Sequence, residues 1–182
     1  VSVMLPNVPE MIEVHFGVPM SGAILNALNT RLEKRSIEFI LKHSKSKVLI
    51  FHEDYKDLVQ SLSKKLKVKF IMVNDVENSK SKRRENYESF LSKVESTDLN
   101  FQSDYYPKDE WETITLNYTS GTTGDPKGVL YHHRGAHLMC LNNQMVWKMG
   151  YHPTYLWTLP MFHCNGWCYP WTIVALAGTQ VC

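Results

Sequence analysis

What this 182-residue sequence has little of narrows its function first. Cysteine occurs four times (Cys140, Cys164, Cys168 and Cys182), never in a CxxC step. That is too few for a disulfide scaffold and lacks paired metal spacing, which favours a reduced, intracellular setting. Net charge is equally scarce. Lys plus Arg number 20 and Asp plus Glu 18, leaving +2, too balanced for binding nucleic acid by bulk charge. A membrane span would need about 20 uninterrupted apolar residues. The longest charge-free stretch, residues 149 to 182, is broken by His152, Pro153, Pro160, His163, Asn165 and Pro170, so no span is expected. No internal repeat is present. No initiator Met and no basic segment precede the first apolar residues; without a signal peptide, a cytoplasmic location is expected.

What is present suits a globular α/β chain. Hydrophobic residues make up 43%, enough to bury a core. Residues 1–5 read as a strand. Pro9 opens a helix, with Glu10 and Glu13 in its first turns. Its apolar positions run from Met11 to Leu28 and cover most of the circumference, predicting a well-buried element. A second helix fits 33–43. Val48-Leu49-Ile50-Phe51 has the uncharged pattern of a strand covered on both faces. A helix over 55–66 and a strand over 68–73 follow. This alternation predicts βαβ units and parallel sheet layers. Residues 74–88 are polar, and Lys80-Ser81-Lys82-Arg83-Arg84 within them reads as a solvated loop rather than a nucleic-acid patch. Residues 101–182 include all five Trp and only four of the Lys and Arg. The charge-free stretch predicts a buried strand, loop and helix. A helix stop at Ala177-Gly178 and a strand starting at Thr179 suggest a piece of a longer chain.

The informative segment is Leu116-Asn117-Tyr118-Thr119-Ser120-Gly121-Thr122-Thr123-Gly124-Asp125-Pro126-Lys127-Gly128-Val129. Four hydroxyls and two glycines occupy positions 119–124, and a lysine follows three residues later. Glycine lets successive backbone N–H groups converge on an anion, hydroxyls add donors, and Lys127 supplies a compact positive charge. The pattern predicts a phosphate cradle. It is not a Walker A loop, because Pro126 precedes the lysine and Gly128 follows it. Residues 114–118 and 129–131 both read as strands, so the cradle joins strand to strand.

The run from Tyr118 to Val129 resembles the phosphate-loop signature of the adenylate-forming superfamily of acyl-CoA synthetases, amino-acid adenylation domains and luciferases. Leu5-Pro6-Asn7-Val8-Pro9-Glu10, Leu28-Asn29-Thr30-Arg31-Leu32 and Leu159-Pro160-Met161-Phe162-His163-Cys164-Asn165-Gly166-Trp167 resemble neighbouring motifs in the same order. The resemblance implies an α/β fold: residues 1–182 would form an incomplete N-terminal AMP-binding domain, with parallel βαβ layers and the strand–phosphate loop–strand element. The implied reaction is attack of a carboxylate on Mg-ATP, giving acyl-adenylate and pyrophosphate, then displacement of AMP by coenzyme A. ATP, Mg²⁺, coenzyme A and a small carboxylic acid are thus the expected cofactors and partners, with no nucleic acid.

By resemblance, Thr119, Ser120, Gly121, Thr122, Thr123, Gly124 and Lys127 hold the nucleotide phosphates. Lys127 and His163 serve the chemistry, and His163, Gly166 and Trp167 line the acid site. Trp167, Tyr169 and Trp171 together would crowd that site and favour a short or medium acyl group. The run Phe162-His163-Cys164-Asn165-Gly166-Trp167-Cys168 looks most like ligases for short or medium-chain fatty acids, with aryl or cinnamate-type acids open. Cys164 and Cys168 are expected to be buried thiols. No metal site is expected: His133 and His137 stand four apart, but HExxH is absent. The superfamily's adenine, ribose and Mg²⁺-assisting motifs and its small lysine-bearing domain do not occur here. An isolated piece of this kind is therefore expected to be inactive, and Lys127 is not that missing lysine. The alternatives are an amino-acid adenylation domain feeding a carrier protein and a non-catalytic nucleotide-binding fragment.

Overall fold

A computed structural model describes residues 1–62, 66–74, 86–93, 106–119 and 124–182. A six-stranded sheet organises it, in the order β4-β3-β1-β2-β5-β6. Its strands are β1 (Ser2–Met4), β2 (Leu25–Ala27), β3 (Val48–His52), β4 (Lys69–Val73), β5 (Thr113–Tyr118) and β6 (Gly128–His132). All neighbours are parallel except β5 and β6, which are antiparallel. Helices α1 (Pro9–Met20), α2 (Lys34–His43) and α3 (Lys56–Ser61, after the short 3₁₀ turn Glu53–Tyr55) make the crossovers. The expected parallel βαβ layers are present.

The sheet is covered on both faces, and alternation along single strands shows why. Val3 packs with α1 residues Met11, Val14 and Val18, whereas its neighbour Met4 packs with α2 residues Ile37, Ile40 and Leu41. Ile50 joins the first cluster, and Leu49 and Phe51 the second. A strand read from both sides must be apolar at every position, so β3 carries no charge until it ends. The three α2 residues repeat along one stripe, and each fully buried side chain contributes about 1.5–3 kcal/mol.

Three elements depart from the sequence expectations. The first helix stops at Met20 rather than continuing toward Leu28: Gly22 takes φ +77° and the Ala23 N–H closes back on the Val18 carbonyl. The apolar residues that follow form β2, and α1 buries one face rather than its whole circumference. The helix expected over 55–66 is shorter, Lys56–Ser61. A 14-residue helix, α5 (His133–Val146), has no counterpart in the expectations. Its Leu138, Leu141 and Met145 are exposed, so its apolar pattern marks no buried stripe. Its start is fixed by His132, whose Nδ1 accepts the Gly135 N–H at 2.8 Å.

The charge-free tail folds as strand, loop, helices and strand. β7 (Thr154–Leu156) pairs in parallel with β8 (Thr179–Val181) in a second small sheet. Between them lie the short helical turn α6 (Cys164–Trp167) and α7 (Tyr169–Ala175). α4 (Tyr87–Leu91) completes the fold, and the basic cluster Lys80–Arg84 lies outside the described residues. Among the described residues no helix is long and apolar enough to cross a membrane.

Candidate phosphate loop and adjoining cavity

The β5–β6 pair builds the stem of the expected cradle. Tyr118 pairs with Gly128 in the last rung. Beyond it, the Thr119 N–H donates to the Lys127 carbonyl at 2.9 Å and closes the stem. Thr119 and Lys127, which close the stem, and Gly124 beyond them are exposed. Ser120, Gly121, Thr122 and Thr123 lie outside the described residues. The loop leads into the antiparallel strand β6 rather than into a helix, so an anion bound there would depend on backbone N–H groups, hydroxyls and the lysine. The stem is braced from the side: the Tyr118 hydroxyl and His43 Nδ1 lie 2.7 Å apart.

The strand leaving the loop also walls a cavity. Leu130, Tyr131 and His132 of β6, with Met139, Cys164 and Trp167, surround about 390 Å³. A second cavity of about 700 Å³ shares Met139 and Trp167 with the first and is lined also by Val146, Trp147, Tyr155, Leu159 and Tyr169. Burial, then the Cys164 thiol bonded to it, pushes the Tyr131 phenol up to about 12. Burial pushes the Cys168 thiol up to about 11, so it stays protonated. Cys168 is the buried thiol expected; Cys164 is only half-buried.

The Trp167 wall hangs on an unusual backbone. Cys164, Asn165, Gly166, Trp167 and Cys168 all have positive φ, from +43° to +66°, one turn of left-handed helix. Such a turn costs about 1–2 kcal/mol per non-glycine residue, and surrounding contacts must supply it. On one side, Asn143 Nδ2 of α5 donates to the Trp167 carbonyl at 2.9 Å. On the other, Asn165, 0% exposed, enters a buried polar chain. Its Oδ1 accepts from Thr115 Oγ1 at 2.9 Å and from Asn117 Nδ2 at 2.5 Å. Its Nδ2 lies 3.1 Å from Nε2 of His15 on α1.

The His15 tautomer follows from its partners. Nδ1 faces the Met11 carbonyl, which can only accept, so Nδ1 carries the proton and Nε2 accepts from Asn165. Burial lowers the His15 pKa to about 4 against the opposing pull of the Met11 carbonyl, so the ring is neutral. The Asn117 Oδ1 is buried with no partner among the described residues.

The expected site residues are therefore distributed as follows. Thr119 and Lys127 face each other where the stem closes, Gly124 is exposed beyond them, and Trp167 lines both cavities. His163 precedes the left-handed turn on the exposed surface and is not among the residues lining either cavity. Gly166 faces away: a Cβ there would meet two Trp157 ring carbons at 2.8 Å, so this glycine serves the turn's packing rather than the cavity wall. Of the three aromatics expected to crowd the site, Trp167 lines both cavities and Tyr169, stacked on Tyr155, lines the larger; Trp171 lines neither, its indole N–H donating to the His15 carbonyl. Sequence reasoning missed His15, Thr115, Asn117 and Asn165. The signal available was the Asn165-Gly166 pair, a combination that favours left-handed backbone. Among the described residues no three His, Cys, Asp or Glu side chains converge as metal ligands.

Comparison with known proteins agrees along the whole chain. Residues 1–182 match the family model described as AMP-binding enzyme. A peroxisomal butyrate–CoA ligase of Arabidopsis thaliana is 42% identical over 191 residues, covering 100% of this chain and 33% of the relative. A peroxisomal benzoate–CoA ligase of the same plant is 46% identical over 191 residues, with 100% and 33% covered. The chain thus spans about a third of the length of these relatives. The N-terminal domain of FACL13 from Mycobacterium tuberculosis superposes with a TM-score of 0.76 at 22% identity, covering 98% of this chain and 42% of that one; this supports the fold alone. The relatives' names also overturn the cytoplasmic location expected from the missing signal peptide.

Proposed function

Since this chain belongs to the AMP-binding enzyme family over its full length, we propose that the whole protein activates a carboxylic acid with ATP and transfers it to coenzyme A. A carboxylate oxygen attacks the α-phosphorus, the bond to the β-phosphate breaks, and pyrophosphate leaves. The thiol sulfur of coenzyme A then attacks the acyl carbon, AMP leaves, and the thiol proton passes to solvent. Residues 1–182 would be the first part of the larger adenylating domain.

The observation that supports this reading is how near Lys127 stands along the chain to the cavity-lining residues of β6. Lys127 immediately precedes β6, and Leu130 and Tyr131, a few residues along it, line the apolar cavity. A phosphate anchor and an apolar tail pocket so close suit a substrate that joins an apolar acid to a nucleotide phosphate. Thr119, Ser120, Thr122, Thr123 and Lys127 would hold the β- and γ-phosphates and stabilise charge on departing pyrophosphate. His163 would act at the carboxylate end, and Trp167 would limit the acyl chain. Mg²⁺ would arrive with the nucleotide: the described residues build no metal site, so no step is assigned through one.

The relatives named for butyrate and benzoate, with a cavity of about 390 Å³, support a short aliphatic or aryl acid. Their peroxisomal naming supports the same compartment here, and a fluorescent fusion of the whole protein should coincide with a peroxisomal marker. The test of function is acid-dependent exchange of pyrophosphate into ATP by the whole protein, with butyrate and benzoate first. Exchange with either, and thioester formation only when coenzyme A is added, supports the reading. No exchange with any acid of a chain-length series overturns it.

A further inference from the structure

One buried side chain joins the loop strand to the cavity wall. Asn165 is 0% exposed and sits second in the five-residue left-handed turn. It binds two residues of β5, Thr115 and Asn117, and His15 of α1. Asn117 lies two residues before Thr119, where the loop opens, and Trp167 lies two residues after Asn165. We propose that Asn165 is a positioning residue that holds the Trp167 wall in register with the strand carrying the phosphate loop, so that the acid is presented at a fixed distance from the phosphates. This rests on the acid-activating function proposed above.

The side chain chosen argues for this role. Left-handed backbone is accessible to glycine and to asparagine. Glycine occupies the next position, so backbone conformation alone would be met by a second glycine at 165. Asparagine adds one acceptor that takes two donors and one donor that meets the His15 lone pair. Aspartate would place a carboxylate against that lone pair, and leucine would strand the Asn117 amide and His15 Nε2, while the Thr115 hydroxyl would keep the Leu25 carbonyl 2.8 Å away. Asn143 pins the far end of the same turn through the Trp167 carbonyl. The two asparagines thus clamp the turn between β5 and α5, and the only large side chain it projects outward is Trp167, 54% exposed.

The test uses the whole protein and Asn165→Gly, which keeps the backbone permissible and removes the hub. The expected result is a rise in KM for the acid of about tenfold or more, with KM for ATP changed by less than about threefold. In a Trp167→Ala background the same substitution should change acid KM by less than about twofold, because the wall it positions is gone. Amide hydrogen exchange, which needs no activity, should quicken at 163–168 and at 117–119. Asn117→Ala, which removes one of the two donors, should move both readouts the same way by less, and it serves if Asn165→Gly does not fold. Equal effects on acid KM with and without Trp167, or unchanged hydrogen exchange in either variant, overturn the proposal. If the unaltered protein shows no acid-dependent exchange, the acid-activating reading fails, and hydrogen exchange alone decides whether Asn165 links turn and strand.

Discussion

Acid should weaken this fold through one residue. The His15 imidazole is 0% exposed, with Nδ1 donating to the Met11 carbonyl and Nε2 accepting from Asn165. Protonation would set an Nε2–H against the Asn165 amide N–H, two donors face to face. Burial therefore lowers the folded pKa from 6.5 to about 4. Between those two values the unfolded chain accepts a proton that the folded chain refuses. The contribution of His15 is complete above pH 6.5, declines as pH falls, and levels off below about 4. At about 1.4 kcal/mol per pH unit, this window is worth about 3 kcal/mol. The assay is urea unfolding across that range for the whole protein and for His15→Gln, whose amide does not titrate. The unaltered protein should lose about 3 kcal/mol more than the variant between neutral pH and pH 4. Parallel loss in both would refute the neutral, buried histidine and the hydrogen-bond direction drawn from it.

Two further substitutions probe the turn. Gly166→Ala places a Cβ 2.8 Å from two carbons of buried Trp157 at a residue with φ +53°; strain and overpacking together should cost about 2–5 kcal/mol in denaturant unfolding, and a cost below 1 kcal/mol would contradict the packing described. Trp167→Ala removes a large side chain that lines both cavities, of about 390 and 700 Å³, and should shift kcat/KM toward longer acids by about tenfold; an unchanged order of acids would separate Trp167 from the acyl site.

The sequence was most legible where one physical rule acted alone. β3 is an uncharged run because helices cover both its faces, and α2 shows its core stripe because its other side is solvated. β5 and β6 stood out because the loop between them is chemically so distinctive. β2 was hidden because Leu25-Asn26-Ala27 continues the apolar spacing of α1, and only Gly22 separates them. Asn26 there is buried and donates to Ser2, a pairing no local pattern announces. α5 escaped because its large apolar residues face outward, its buried stripe is the small and polar Ala136, Cys140 and Asn143, and its cap is a histidine. The hub at Asn165 draws partners from residues 15, 115 and 117, which come together only once the sheet has formed. The family resemblance pointed to Trp167, which lines both cavities, and to Gly166 as a second wall residue, where a Cβ would instead meet the Trp157 ring.

The central claim is that the Thr119–Lys127 loop holds the phosphates during acid activation. The most direct measurement is acid-dependent ATP–pyrophosphate exchange by the whole protein and by Lys127→Ala, with folding of both checked by urea unfolding. Loss of one preorganised charge-stabilising donor is worth about 2–4 kcal/mol, so exchange should fall by about 10²–10³ while the unfolding midpoint holds. Exchange within about twofold of the unaltered protein would contradict the account.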